Sequence, residues 1–289
     1  DDPENSLIVT SIQKLSNITK DNENIKTADL EKIVAVKFPG KKLPKWFMSW
    51  MKRFVHQDFI NGFATTGYEG VDFCTESMKY LDVKLDVHGL ENVVVPEGAR
   101  LTFVGNHPLG GPDGVAVASV VGQHFGSNIR LLVNDFLMAL KGLAPICIPI
   151  NKTGGQSRNL PQLIREGYES DNNMIVFPAG LCSRRIDGVI QDLPWGKNFV
   201  QESVATGRWV VPIHFEGRNS NRFYNVANLC KKLGIKFNIA MLFLPDELYR
   251  HQHKTFKITF GLPIPPETFD SSRNATQWAA WVREKAYQL

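Results

Sequence analysis

Between residues 81 and 215 short apolar runs alternate with longer amphipathic stretches. Leu81, Val83, Leu85 and Val87 alternate with Asp82, Lys84, Asp86 and His88, the period of two that marks a half-buried strand. Apolar runs at 101–104, 129–133, 146–150, 174–177 and 209–215 predict further strands. Helical spacing predicts helices over 115–125, 136–141, 160–168 and 198–205 between them. After 215 come a helix to about 233, a stretch at 237–249 that fits helix or strand, a strand at 256–260 and a closing helix at 276–287. Strands alternating with helices imply an α/β fold with a mixed, mostly parallel sheet flanked by helices. Residues 1–80 read instead as helical, with patterns at 7–15, 27–36 and from Pro44 onward, punctuated by Pro39 and Gly40. The expected organisation is an N-terminal helical lobe, 1–80, and an α/β domain, 81–289.

Charge changes the picture at one place. In the pattern after Pro44, Trp46, Phe47, Trp50, Met51 and Phe54 recur at helical spacing among Lys41, Lys42, Lys45, Lys52 and Arg53, and no acidic residue occurs from Lys32 through Gln57. A basic helix with Trp and Phe on its apolar side suits an anionic membrane surface, although the same stripe could pack on a core. Trp46, Phe47, Trp50, Lys45, Lys52 and Arg53 are the expected membrane contacts. The net charge of +4 over 289 residues is too small to imply nucleic acid. Cys74, Cys147, Cys182 and Cys230 are scattered, as free thiols in a reducing compartment would be. His251 and His253 lack a third partner at ligand spacing, so no metal is expected. The opening DDPENS has no basic start before an apolar run, and no apolar stretch is long enough to span a bilayer. A cytoplasmic protein, peripherally associated with the inner face of the membrane, is therefore expected.

The chemistry concentrates in LTFVGNHPLGGPDG, residues 101–114, a buried strand breaking into a tight loop and then a helix. The loop brings His107 and Asp113 to one strand-to-helix junction, where a carboxylate can fix the tautomer of a general base. Asp113 as a plain helix cap is the alternative. Two more loops follow strands, Asn151-Lys152-Thr153-Gly154-Gly155 and Pro178-Ala179-Gly180-Leu181-Cys182-Ser183-Arg184-Arg185, each offering a cation and backbone donors where α/β sheets bind ligands.

Asn106-His107-Pro108-Leu109-Gly110-Gly111-Pro112-Asp113, then Pro149-Ile150-Asn151-Lys152, then Phe177-Pro178-Ala179-Gly180 with Ser183-Arg184, then Val211-Pro212-Ile213, resemble the ordered motif blocks of the lysophospholipid/glycerol-phosphate acyltransferase superfamily. The likeness covers about residues 81–262 and is greatest to a bacterial branch labelled haemolysin, which includes O-acyltransferases of amino-acid-containing lipids. It implies that His107 is the base on an acceptor hydroxyl, that Asp113 orients it, and that Asn106, Asn151, Lys152, Phe177, Pro178, Gly180, Ser183 and Arg184 bind substrate. It further implies a lyso-lipid acceptor, an acyl thioester on acyl carrier protein or coenzyme A as donor, no cofactor, and loop amides near Gly180 as oxyanion donors. Five residues separate His107 from Asp113, where the family most often has four. Ala179-Gly180-Leu181-Cys182 stands where relatives that bind glycerol phosphate carry Glu-Gly-Thr-Arg, which favours an amino-acid head group over plain lysophosphatidate. A lipid-directed hydrolase or thioesterase, and a non-enzymatic peripheral membrane protein, are the competing readings. Gly180-x-Cys182 begins like a nucleophile elbow, but Arg184 stands where the second glycine belongs.

Overall fold

The structure, a computed structural model, describes residues 44–134, 137, 140–150, 160–234 and 239–289. The expected helices at 7–15 and 27–36, most of that at 136–141, and Asn151 and Lys152 lie outside these residues.

A seven-stranded sheet forms the centre, in the order β1-β9-β8-β2-β5-β3-β4. Its strands are β1 (Lys84–His88), β2 (Leu101–Gly105), β3 (Ile129–Asn134), β4 (Cys147–Ile150), β5 (Asn173–Val176), β8 (Trp209–Glu216) and β9 (Thr255–Phe260). β8, β2, β5, β3 and β4 are parallel, while β9 pairs antiparallel with β8 and parallel with β1. The sheet is thus mixed and mostly parallel, as its patterning requires. β2 occupies its centre, so all five of its residues are buried. Leu101 and Phe103 enter the core on one face and Val104 the core on the other, the alternation a pleated strand imposes.

Helices α3 (Gly70–Tyr80) and α4 (Pro112–Phe125) cover the first face; α5 (Leu160–Glu169), α6 (Asn198–Thr206) and α9 (Ala275–Tyr287) cover the second. α3, which the sequence placed in the N-terminal lobe, buries Val71, Phe73, Cys74 and Met78 in the same core as α4. The close approach needs Gly122, where a Cβ would lie 2.4 Å from Val71 Cγ2. The pattern expected to run on from Pro44 is two helices, α1 (Lys45–Phe54) and α2 (Gln57–Ala64), because His56 adopts φ 49° and interrupts the ladder. The ambiguous stretch resolves, within the described residues, as a 3-10 turn at Ile239–Phe243 and helix α8 (Leu244–Arg250), after α7 (Asn221–Lys232). A short hairpin, β6 (Arg184–Ile186) with β7 (Val189–Gln191), was not expected, since three-residue strands carry no readable period.

At the amino edge of the sheet, Arg208 is fully buried. Its guanidinium donates to Thr102 Oγ1 at 3.1 Å and to the carbonyls of Leu101 at 2.7 Å, Tyr168 at 3.1 Å, Ser170 at 2.9 Å and Asn172. Burial pushes it down to about 10, and those acceptors hold the cation in place.

Candidate active site

β2, β5 and β8 are adjacent parallel strands, so the loops after them open at one end of the sheet. His107 follows β2, and its Nδ1 lies 3.0 Å from Asp113 Oδ2. In the loop between them Gly110 has a φ of +85°, which suits glycine, and a Cβ there would meet Cys182 Cβ at 3.0 Å and Leu244 Cδ2 at 3.1 Å.

Asp113 is fully buried at the first turn of α4. Its Oδ2 accepts from the amides of Leu109 at 2.9 Å and Gly110 at 3.3 Å; its Oδ1 accepts from those of Gly111 at 3.0 Å and Gly114 at 2.9 Å. Burial works to raise the carboxyl, but the adjoining His107 and the Leu109 and Gly110 amides outweigh it and hold Asp113 below the usual carboxylate range. Asp113 thus organises the loop and lies against the His107 ring; it is not the plain helix cap of the alternative reading, since the cap position of α4 is Gly111 and Asp113 lies within the first turn. As an anion it only accepts, so the His107 proton belongs on Nδ1 and the lone pair on Nε2. The ring stacks on Phe177 at 4.5 Å between centroids, and the His107 side chain retains 18% exposure.

The other expected binding residues divide by what they touch. Asn106 is buried and clamps β2 to β8: its Nδ2 donates to the Phe215 carbonyl at 2.9 Å and its Oδ1 accepts from the Phe215 amide at 2.7 Å. Ser183 is buried, with its amide donating to the His107 carbonyl at 2.7 Å and its hydroxyl to Asp192 at 2.6 Å. The Gly180 amide, expected near an oxyanion, donates to the Phe177 carbonyl at 2.9 Å, and the Pro178 carbonyl accepts from the Gly196 amide at 3.0 Å. Arg184 uses Nη1 to hold its own loop, donating to the Cys182 carbonyl at 2.6 Å, and stands over Phe223 at 5.5 Å. Of the expected binding residues, Phe177 is the one whose side chain lies against the His107 ring, and Phe177, Pro178, Gly180 and Arg184 are all half-buried. Cys182 is buried, and burial pushes its thiol up against the opposing effect of Arg184, which makes it a poor nucleophile.

Two residues of the site carried no signal in the sequence. Asn219, after β8, donates from Nδ2 to the carbonyls of Pro108 at 3.3 Å and Leu109 at 3.2 Å, tying down the His107 loop. Asp192 accepts from the His107 amide. Each is a polar residue whose contact with the His107 loop spans about a hundred positions. Trp195 is buried and donates its indole N–H to Asp192. His251 lies 3.3 Å from Asn219 Oδ1 while His253 meets Asp82 at 2.8 Å, so the two histidines do not converge.

Around the N-terminal aromatic stripe, α1 buries none of its residues: Trp46 is 73% and Trp50 55% exposed, and Lys45 and Arg53 are exposed too. Among the described residues no helix is long and apolar enough to cross a membrane.

The profile of the family described as "Acyltransferase" matches residues 32–289. A Phocaeicola vulgatus protein named lyso-glycine lipid O-acyltransferase is 53% identical over 273 residues, 93% of this chain and 97% of its own length. A Bacteroides thetaiotaomicron protein of the same name is 52% identical over 265 residues, 90% of this chain and 97% of its own. Among solved structures, the 1-acyl-sn-glycerophosphate acyltransferase PlsC from Thermotoga maritima aligns over 99% of this chain and 96% of its own, at 15% identity and a TM-score of 0.41.

Proposed function

The chain belongs to the acyltransferase family, as an enzyme that acylates lyso-lipids, and from that premise we propose that its acceptor is a lyso-glycine lipid and its donor an acyl thioester. Two relatives more than half identical over nearly their whole length bear that acceptor in their names. The observation that carries the chemistry is the 3.0 Å contact of His107 Nδ1 with the buried Asp113.

In this reading Nε2 of His107 takes the proton of the acceptor hydroxyl as its oxygen bonds to the thioester carbonyl carbon. The carbon–sulfur bond then breaks, and the proton passes from Nε2 to the departing thiolate. Asp113 stays ionised, keeps the ring in its tautomer and stabilises the transient imidazolium. No acyl-enzyme forms, consistent with the buried, high-pKa thiol of Cys182. Arg184 or Lys152, with Asn151, would pair with the carboxylate of the glycine head group, the guanidinium offering two parallel donors. The donor carrier is acyl carrier protein or coenzyme A, and no further cofactor takes part. α1 would rest on the anionic inner face of the membrane, so that chain-bearing substrates need not leave it fully.

The test is acyl transfer from radiolabelled acyl-acyl carrier protein and acyl-coenzyme A to lyso-glycine lipid and lysophosphatidate. The expected result is preferential labelling of the glycine lipid, falling by about 10²- to 10⁴-fold in His107→Ala. Free fatty acid as main product would instead mark a hydrolase, and preference for lysophosphatidate would overturn the acceptor.

A further inference from the structure

Besides Asp113, a second buried carboxylate lies against His107. Asp192, 2% exposed, follows β7, and the His107 backbone N–H donates to both its oxygens at 3.2 and 3.3 Å. Oδ1 also accepts from the Ser183 hydroxyl at 2.6 Å, and Oδ2 from the Trp195 indole N–H at 3.0 Å. Because the Ser183 amide donates back to the His107 carbonyl at 2.7 Å, His107, Asp192 and Ser183 form a closed ring of hydrogen bonds. The Asp192 main chain is anchored as well: its N–H donates to the Tyr287 hydroxyl at 2.9 Å, and its carbonyl accepts from Arg283 at 3.1 Å, both from α9. Every partner of the carboxylate is a donor, an arrangement that suits an anion, which only accepts.

We propose that Asp192 is a positioning residue: as an anion it fixes the main chain of His107, while Asp113 meets the ring, and it keeps the imidazole basic. This rests on the reading of His107 as the base. Burial raises the Asp192 carboxyl against the opposing Ser183, Trp195 and His107 donors; the anion is assigned on the geometry, three donors converging on oxygens that offer them only lone pairs, at a site where solvent screens charge little. The other titratable or charged groups facing the pair are Asp113, Cys182, His214 of β8, and Arg283 and Tyr287 of α9.

Asp192→Asn keeps the shape, removes the charge and sets an amide N–H₂ among three donors. Ser183→Ala removes one donor and leaves the carboxylate. We would measure kcat and KM for both, the pH dependence of kcat/KM, and the titration of the His107 ring by NMR in the full chain. A misaligned base costs up to about 10²-fold, so kcat of Asp192→Asn should fall 10- to 100-fold with little change in KM. With one negative charge gone the imidazolium is less favoured, so the ring titration and the acid limb of the profile should both move to lower pH. Ser183→Ala should show a smaller loss of kcat. An Asp192→Asn protein with wild-type kcat and an unmoved His107 titration overturns the proposal, and so does one altered only in melting temperature. Should that variant not fold, full kcat in Ser183→Ala has the same force. If His107 is not the base, His107→Ala retains turnover, an outcome separate from the effect of Asp192 on the ring.

Discussion

At the residue scale the site depends on keeping one anion in a place without water. An ionised carboxylate loses several kcal/mol on burial, and Asp113 offsets that with four backbone amides and the His107 contact. Linkage follows with a definite sign. Because the folded pKa lies below the unfolded value of about 3.9, Asp113 contributes stability that is present above that value and lost as pH falls through the folded pKa. Asp113→Asn should therefore be less stable than wild type at pH 7 by about 1–3 kcal/mol, with the gap closing below about pH 4. Urea titrations of both proteins between pH 7 and 3 check this, and a gap independent of pH would assign the loss to packing. That His107 and Asp113 share one strand-to-helix junction was legible from chain neighbours, since strand, glycines and helix start all lie within fourteen positions, but choosing between a base with its orienter and a cap beside a loop residue needed the ordered motif blocks further along the chain. Within the five-residue loop Gly110 takes a positive φ at a point where a side chain would strike Cys182 and Leu244, and His107 Nδ1 still lies 3.0 Å from Asp113.

At the element scale α1 is the informative piece. Its rings form a ladder from Trp46 through Phe47, Trp50 and Phe54 to Phe243, with centroids 5.8, 5.8, 5.4 and 5.3 Å apart. Arg222 sits over Phe54 and Phe243, at 5.4 and 4.9 Å. The helix is thus held at its carboxyl end and shows its rings at the other. Phe54 meets Phe243 and Arg222, whereas Trp46 and Trp50 stay exposed. Replacing Trp46, Phe47 and Trp50 with Ser should weaken binding to anionic vesicles at least tenfold, as expected from about 1.5 kcal/mol or more of apolar burial per aromatic ring. Added salt should weaken the wild type in turn through its lysines and arginines. A folded variant with undiminished vesicle flotation would refute the docking role. The elements themselves were read well where patterns were long, as in the central strands and the closing helix. They were misread where a single residue decided, as His56 does by breaking one expected helix into two.

At the scale of the whole molecule, the sheet brings together what the chain keeps apart. Loops after β2, β5 and β8 meet at His107, while at the opposite edge Arg208 joins β2 to the carbonyls around α5 and β5. Arg208→Met should strand several buried acceptors and destabilise the fold by about 3 kcal/mol or more, at roughly 1–3 kcal/mol per unsatisfied group. The expected signature is a lower urea midpoint with an unchanged slope; a midpoint within experimental error of wild type would show that water can replace the guanidinium. Local patterning was enough to establish the α/β class, the strand-to-helix junction with its histidine and aspartate, and the family resemblance, because periodicity, turn chemistry and motif spacing act over a few to a few tens of residues. The tertiary structure alone decided that α3 belongs to the main core, that Asn106 and Ser183 spend their polar atoms on the scaffold, and that Asp192 and Asn219 hold the His107 loop. Those roles arise in large part from contacts between segments tens of positions or more apart, and a lone polar residue carries no mark of the distant partner it will meet.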